Sequence, residues 1–488
     1  MQPFPFALCS AVCIIWIASG CAMKTRPPAI PPTAESGMPH GARPAATGPS
    51  LPSPTGTKPA PRSVELFARK HLEREHLVAA VLERNPSVQA MREAWNAATQ
   101  RTSQVAALDD PMASYAIAPL SIGSSRVDFG ETVEVSQRFP WPGKLRLRGE
   151  AARYQAEAHE YDYETMRQET ALTASDLYDD YYLVERALAI NAEHVRLLEQ
   201  FKDAATAQYA AGLLSQQDPI QAEVELAHLA HREVVLATER RVIVARLNTL
   251  LHRPPSDDLP PPIREALLIG VPDQIDDAVA QRLEELAIAA RPELAAIRGE
   301  IAARRAEVRV AELEGYPDFG VMTSYNSMWG DEAHRWMTGV SLNLPIWRDR
   351  IRAARAEAAA RLAETEARRL AMEDEIRSEV HQVVERLREA GHVLGLYRER
   401  LLPAAEDQVR AARAGVESGT NSFLALIEAE KNLRSADLGY EEAIASWQRR
   451  LARLARQLGR LPHQARGALA EVMDGDALSA QPMKGDLR

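Results

Sequence analysis

The sequence predicts a mainly α-helical chain with a small β part, written as one structural unit twice. Three observations predict it. The composition favours helix: of 488 residues only 6% are aromatic and 25 are glycine. Ala, Leu, Glu and Arg abound, and these residues lose little on entering a helix. From residue 150 to residue 211 there is no Gly and no Pro, a run that as one helix would extend about 95 Å. Finally, four anchors recur about 206 residues apart. Asn85-Pro86 pairs with Arg291-Pro292, Pro111 with Pro317 and Pro140 with Pro345. The run Gly212-Leu213-Leu214-Ser215 pairs with Gly419-Thr420-Asn421-Ser422.

The N-terminus reads as a targeting segment. Residues 1–21 carry no charged side chain, and Leu8–Ile17 has the length of a signal-peptide apolar core. Ala18-Ser19-Gly20-Cys21 resembles the lipobox of bacterial lipoproteins, in which the cysteine is lipidated and the chain is cut before it. The resemblance implies a signal peptide over 1–20 and lipidation of Cys21. The alternative is a plain secretory signal cut near Gly20. The three cysteines are Cys9, Cys13 and Cys21, so cleavage would leave one, unable to form an internal disulfide. Residues 27–62 hold 11 prolines, so 21–62 reads as an anchor followed by an extended tether. The tail over 463–488 is expected to be equally loose.

Between these lie two repeats, 63–262 and 263–462. Each opens with a helical segment, about 64–108 and 277–314, broken at Pro86 and Pro292. A β-hairpin follows, 112–139 in the first repeat and 318–344 in the second. Val133, Val135 and Phe139 alternate with Glu134, Ser136 and Arg138; Val340, Leu342 and Leu344 alternate with Ser341 and Asn343. Period two with one apolar face is a half-buried strand, and nine or ten residues suit a tilted membrane strand. After Pro140 and Pro345 come long helical hairpins. Their returning arms are expected over 219–251 and 423–458, with breaks in the second outward arm at Gly391, Gly395, Pro403 and Gly415.

Four strands cannot close a barrel, and an open sheet in lipid leaves edge groups unsatisfied. Closure therefore requires several chains. Three would give a 12-stranded outer-membrane β-barrel continued by a long periplasmic α-helical barrel, which is a conduit. The side chains of Glu134, Ser136, Arg138, Ser341 and Asn343 would face its lumen.

Across about 63–460 the chain resembles the TolC family of outer membrane efflux factors. The resemblance rests on the duplicated hairpins, on Pro140 and Pro345 at the barrel-to-helix junctions, and on the turns at Gly212 and Gly419. The run Gln137-Arg138-Phe139-Pro140-Trp141-Pro142-Gly143-Lys144 resembles the CusC/CzcC-like branch that serves heavy-metal pumps. The family implies a passive homotrimeric duct in outer membrane lipid. Its partners would be a periplasmic adaptor and a proton-driven inner-membrane pump of the RND type. The adaptor would dock at tip turns containing Gly212, Leu213, Leu214 and Ser215, and Gly419 and Ser422.

Other features exclude or tempt. A formal net charge of −10 argues against nucleic acid. No nucleophile elbow, phosphate loop or HExxH occurs, so neither an enzyme nor a cofactor is expected. His228 and His231 are spaced for a shared metal but read as solvated or packed histidines, and no metal site is assigned. Asp176, Asp179 and Asp180 among Tyr178, Tyr181 and Tyr182 read as a solvated surface with tyrosines in the wall. Methionines are few and unclustered along the chain, so no methionine metal relay is expected. The competing readings are a periplasmic adaptor lipoprotein, a structural coiled-coil lipoprotein, and a duct for drugs instead of metals.

Overall fold

The computed structural model describes residues 70–123, 129–212, 215–263, 275–418 and 420–473. The expected signal peptide, Cys21, the tether, Leu213, Leu214 and Gly419 lie outside the described residues. In chain order the elements are α1 (Arg74–Arg84), α2 (Pro86–Ala106), β1 (Met112–Ile117), β2 (Glu131–Phe139), α3 (Lys144–Ala210) and α4 (Gln217–Leu250). The second repeat gives α5 (Asp277–Ala290), α6 (Pro292–Leu313), β3 (Phe319–Asn326), β4 (Trp336–Leu342), α7 (Arg348–Leu396), α8 (Leu402–Glu417) and α9 (Phe423–Gln457). A last helix, α10, covers Ala465–Met473.

Local chemistry sets these boundaries. Pro86 and Pro292 each occupy the first position of a helix, where the missing N–H costs nothing. Asn85 caps α2, its Oδ1 accepting from the Ser87 amide at 2.9 Å. In the outward arm of the second hairpin only Pro403 disturbs the helix. It lacks the N–H for the Glu399 carbonyl, and Tyr397–Leu401 forms a π turn just before it. The expected breaks at Gly391, Gly395 and Gly415 are absent: all three remain helical.

α3, at 67 residues, is the spine, packing along α2, α4, α6 and α9. α7 packs on α5, α6 and α9. The main core joins both repeats and includes Leu77, Tyr178, Leu247, Leu283, Val380 and Trp447, all at most 2% exposed. The expected loose tail is corrected over 465–473. Ala465, Leu469 and Val472 lie on one helix face and are buried in the core, and Arg460 pairs with Glu471 at 2.9 Å. The tyrosine-aspartate cluster is also corrected. Tyr178, Tyr181 and Tyr182 are buried and donate to the Leu72 carbonyl, the Leu259 carbonyl and the Glu441 carboxylate. Asp179 is buried against Arg74, and burial raises its carboxyl to about 7 against the pull of that guanidinium. This polar knot ties the chain entering α1 and the linker between the repeats to the spine.

The four strands form one antiparallel sheet, in the order β1-β2-β3-β4. The two hairpins meet at β2 and β3, with Phe139 opposite Phe319 and Thr132 opposite Asn326. β1 and β4 are the free edges of the described sheet. Among the described residues no helix is long and apolar enough to cross a membrane.

Candidate functional site: a two-faced sheet, its junctions and the helical tips

Register sorts the sheet into two unlike faces. One face is mainly apolar and bounded by aromatics, with Gln137, Thr323 and Thr338 among its apolar residues and Glu131 at its far end. Tyr115, Val133, Tyr325 and Trp336 stand in one row across all four strands. Phe139, Phe319 and Leu342 form a second row near the helical end, with the two phenylalanine rings stacked at 5.4 Å. Six residues separate Val133 from Phe139, about 20 Å of strand. Trp336, Val340 and Leu342 are exposed, although water penalises such a surface. An apolar band between two aromatic rows is what a barrel presents to lipid.

The opposite face carries Ser114, Glu134, Ser136, Arg138, Ser324 and Ser341. At its helical end lies a concavity of about 370 Å³. Glu134, Ser136, Arg138, Ser341 and Asn343 all line it, so the fold gathers the five expected lumen residues from two hairpins about 200 residues apart in sequence. Sequence reasoning missed three further members of this face. Met112, Met322 and Met337 come from three different strands and share the parity of Ser136 and Ser324. Along the chain they look scattered; only the register collects them.

The two strand-to-helix junctions differ. After β2, Pro140 ends the ladder and Gly143 turns the chain at φ +96° into α3, a conformation a side chain would strain. Asp318, just before β3, organises this turn. Its Oδ1 accepts from the Trp141 amide and from Lys144 Nζ, each at 2.8 Å. Its Oδ2 accepts from Arg138 at 3.2 Å. Lys144 is 2% exposed, and Trp141 stacks on Tyr316 at 5.1 Å. Lys144 was read only as the end of the Gln137–Lys144 run, and its pairing with Asp318 was not read from the sequence, since nothing in local spacing links residues 174 apart. After β4, Pro345 leads into α7 with no such clasp: Leu344, Ile346 and Trp347 are 65%, 68% and 72% exposed.

The helical hairpins end in two tips. In the first, Gly212 takes φ +75° and donates to the Tyr209 carbonyl at 2.9 Å; Ser215 bonds Asp218 before α4 begins. In the second, Thr420 and Asn421 both donate backbone N–H to the Gly415 carbonyl, and Ser422 caps α9. Phe423 and Ile427 of α9 pack with Leu198 of α3 and Leu229 of α4. Beside them His194 lies 3.6 Å from Glu430, and Glu225 binds Lys431 at 3.0 Å and Arg434 at 3.2 Å. Burial opposes protonation of His194, but Asp437 and Glu430 carry its pKa above the usual value. The first hairpin is thus fastened to the second close to the tips. His228 and His231 are exposed on α4, and among the described residues no group of three or more His, Cys, Asp or Glu side chains is arranged for a metal.

This arrangement has known counterparts. The outer-membrane channel OprN superposes with a TM-score of 0.62, at 22% identity, over 85% of this chain and 98% of that one. CusC superposes with a TM-score of 0.67, at 16% identity, over 86% and 99%. The fold is that of the outer-membrane channels. In sequence, residues 283–460 match the family described as outer membrane efflux protein. Nodulation protein T of Rhizobium leguminosarum bv. trifolii is 22% identical over 290 residues, 55% of this chain; the match spans 58% of that relative's length.

Proposed function

We propose that this chain is the outer-membrane channel subunit of a tripartite efflux system, working as a homotrimer and carrying heavy-metal cations outward. One observation carries the reading: a four-stranded sheet with a lipid-like face, a polar face and two open edges, continued by long helical hairpins. Lipid tolerates no unpaired strand edge. The β4 edge of one copy therefore pairs with the β1 edge of the next, and three copies close 12 strands. The polar face then lines the lumen. The tips at Gly212–Ser215 and Gly419–Ser422 dock a periplasmic adaptor, which couples the duct to a proton-driven inner-membrane pump. Cys21 carries a lipid anchor. The family match over 283–460 and the structural likenesses support the channel reading. The run Gln137–Lys144 supports the metal cargo by its resemblance to the heavy-metal branch.

The test is genetic and biochemical together. A deletion strain is expected to lose tolerance to metal salts and to recover it with the wild-type gene, while the protein fractionates with outer membranes as a trimer. A protein found only as a soluble monomer contradicts the duct. Lost tolerance to dyes and antibiotics, with metals unaffected, contradicts the cargo.

A further inference from the structure

The chain carries a net charge of −10, but the first turns of its two long helices run the other way. α3 opens with Lys144, Arg146 and Arg148 and has no acidic residue in its first turn. Over residues 348–355, α7 sets Arg348, Arg350, Arg352 and Arg355 against Asp349 alone. A helix N-terminus favours acidic side chains, so helix chemistry by itself does not account for these arginines. Both runs begin just past the apolar sheet face: Arg146 stands seven residues after Phe139, and Arg348 six after Leu342.

Ion pairs sort the arginines by face. Lys144 turns to Asp318, which lines the polar concavity. Arg146 lies about 200° further round α3, on the opposite side, and meets Glu150 at 3.2 Å. Glu150 also takes Arg309 of α6 at 3.3 Å. One turn from Arg309, Arg305 pairs with Glu366 of α7 at 3.0 Å. Glu366 lies 18 residues beyond Arg348, about five full turns, so Arg348, Arg352 and Arg355 share its side of the helix. Arg355 donates to the Glu312 carbonyl of α6 at 2.8 Å. The three helices thus present one strip on the side away from the concavity, continuous with the apolar face of the sheet. Its five arginines, Arg146, Arg309, Arg348, Arg352 and Arg355, are all exposed. Three carboxylates, Glu150, Glu312 and Asp349, accompany them, which leaves two positive charges per chain. Among the described residues neither Arg348 nor Arg355 has an ion-pair partner.

We propose that these five arginines form a basic collar that binds the headgroups of anionic phospholipids, of the phosphatidylglycerol class, at the membrane surface where the sheet gives way to the helices. This rests on the reading that the apolar sheet face sits in lipid, and it adds which lipid the protein selects. The collar lies within two helical turns of the sheet, about 10 Å, inside the range over which a charged membrane surface attracts basic side chains. A guanidinium fork meets a phosphate with two parallel hydrogen bonds, and its long stem lies along apolar surface while the charge reaches outward. A zwitterionic headgroup offers the same phosphate but no net charge, so the collar favours lipids that carry one. Three copies would repeat the strip around the barrel and fix its depth in the bilayer.

The test compares lipids on the intact protein. Full-length trimers extracted in mild detergent are mixed with equal amounts of phosphatidylglycerol and phosphatidylcholine of the same acyl chains, and native mass spectrometry counts how many of each they retain. The wild type is expected to keep phosphatidylglycerol several-fold over phosphatidylcholine. The variant combining Arg348→Gln and Arg355→Gln breaks no ion pair among the described residues, and is expected to lose most of that preference. The variant combining Arg196→Gln and Arg232→Gln removes the same charge from exposed positions far down the helical body and is expected to keep it. Equal retention of the two lipids by the wild type overturns the proposal, as does a preference that survives in the first variant or falls equally in the second. A first variant that no longer forms trimers, while the wild type does, assigns the two arginines to the contact between copies and also overturns it. Wild-type trimers without lipid preference sink this inference alone, whereas a wild-type protein absent from outer membranes sinks the duct.

Discussion

The two strand-to-helix junctions share a proline and little else. At Pro140 the chain leaves a central strand, and the turn is clasped by Asp318, with Lys144 buried beneath it. At Pro345 it leaves an edge strand, and Leu344, Ile346 and Trp347 stand in solvent. One turn finds its partner within the chain, since β3 lies beside β2. The other faces the open side of β4, which a second copy would cover in the proposed trimer. The duplicated sequence thus gives two unlike junctions: the first is fixed within the protomer and the second is left exposed, free for a neighbour under the proposed assembly.

The largest break in this comparison comes from the clasp. Asp318→Ala leaves Lys144 buried without its partner, a loss of about 3–5 kcal/mol. Thermal melting of the purified protein should show it as a large fall in Tm with little assembled trimer. Adding Lys144→Met should recover much of the loss, because removing both charges is far less costly than stranding one. Equal stability of single and double variants would show that the pair does not act as a unit.

Next in size is Ile346→Glu. The residue is exposed in the protomer, so helix content by circular dichroism should stay unchanged while trimers are lost in detergent. A variant that unfolds would mean that the second junction also serves the protomer.

Acid sensitivity sharpens the contrast from within the helical body. Burial alone would raise Glu293, but hydrogen bonds from Arg291 and Arg456 bring it down to about 2. A carboxylate lowered on folding contributes stability above its unfolded value near 4.5, and that contribution fades as pH falls toward 2. After allowance for solvent screening it is on the order of 2 kcal/mol. Glu293→Gln should therefore destabilise at pH 7 and flatten the fall in Tm between pH 5 and pH 3. An unchanged pH profile would remove this anchor.

The smallest effect is expected at the first tip. Gly212→Ala places a side chain at φ +75°, costing about 1–2 kcal/mol. Global melting should barely move, while local hydrogen exchange at residues 205–218 should speed up.

Much of the fold was legible because it rests on local signals. Proline spacing, period-two strands and glycine-free helical runs are written along the chain. What stayed hidden depends on pairs far apart in sequence. Asp318 and Lys144 belong to different repeats, and no periodicity joins them. Tyr178, Tyr181 and Tyr182 looked like a surface because aspartates surround them, but their hydroxyls satisfy buried carbonyls and a carboxylate. That Met112, Met322 and Met337 share one face required knowing which strands are neighbours. α10 is a different case: Ala465, Leu469 and Val472 already carry the helical i, i+4, i+7 pattern, but only nine residues of it, behind Gly459 and Pro462. Of the candidate site, the five polar residues of the concavity were readable from alternation, and their being in one place was not.

The central claim is that one protomer is an unfinished wall. Native mass spectrometry of the full-length chain extracted from membranes in mild detergent tests it most directly. The expected result is a single species of three chains that Ile346→Glu converts to one. A stable monomer for the wild type, its sheet edges open in detergent, would contradict the account.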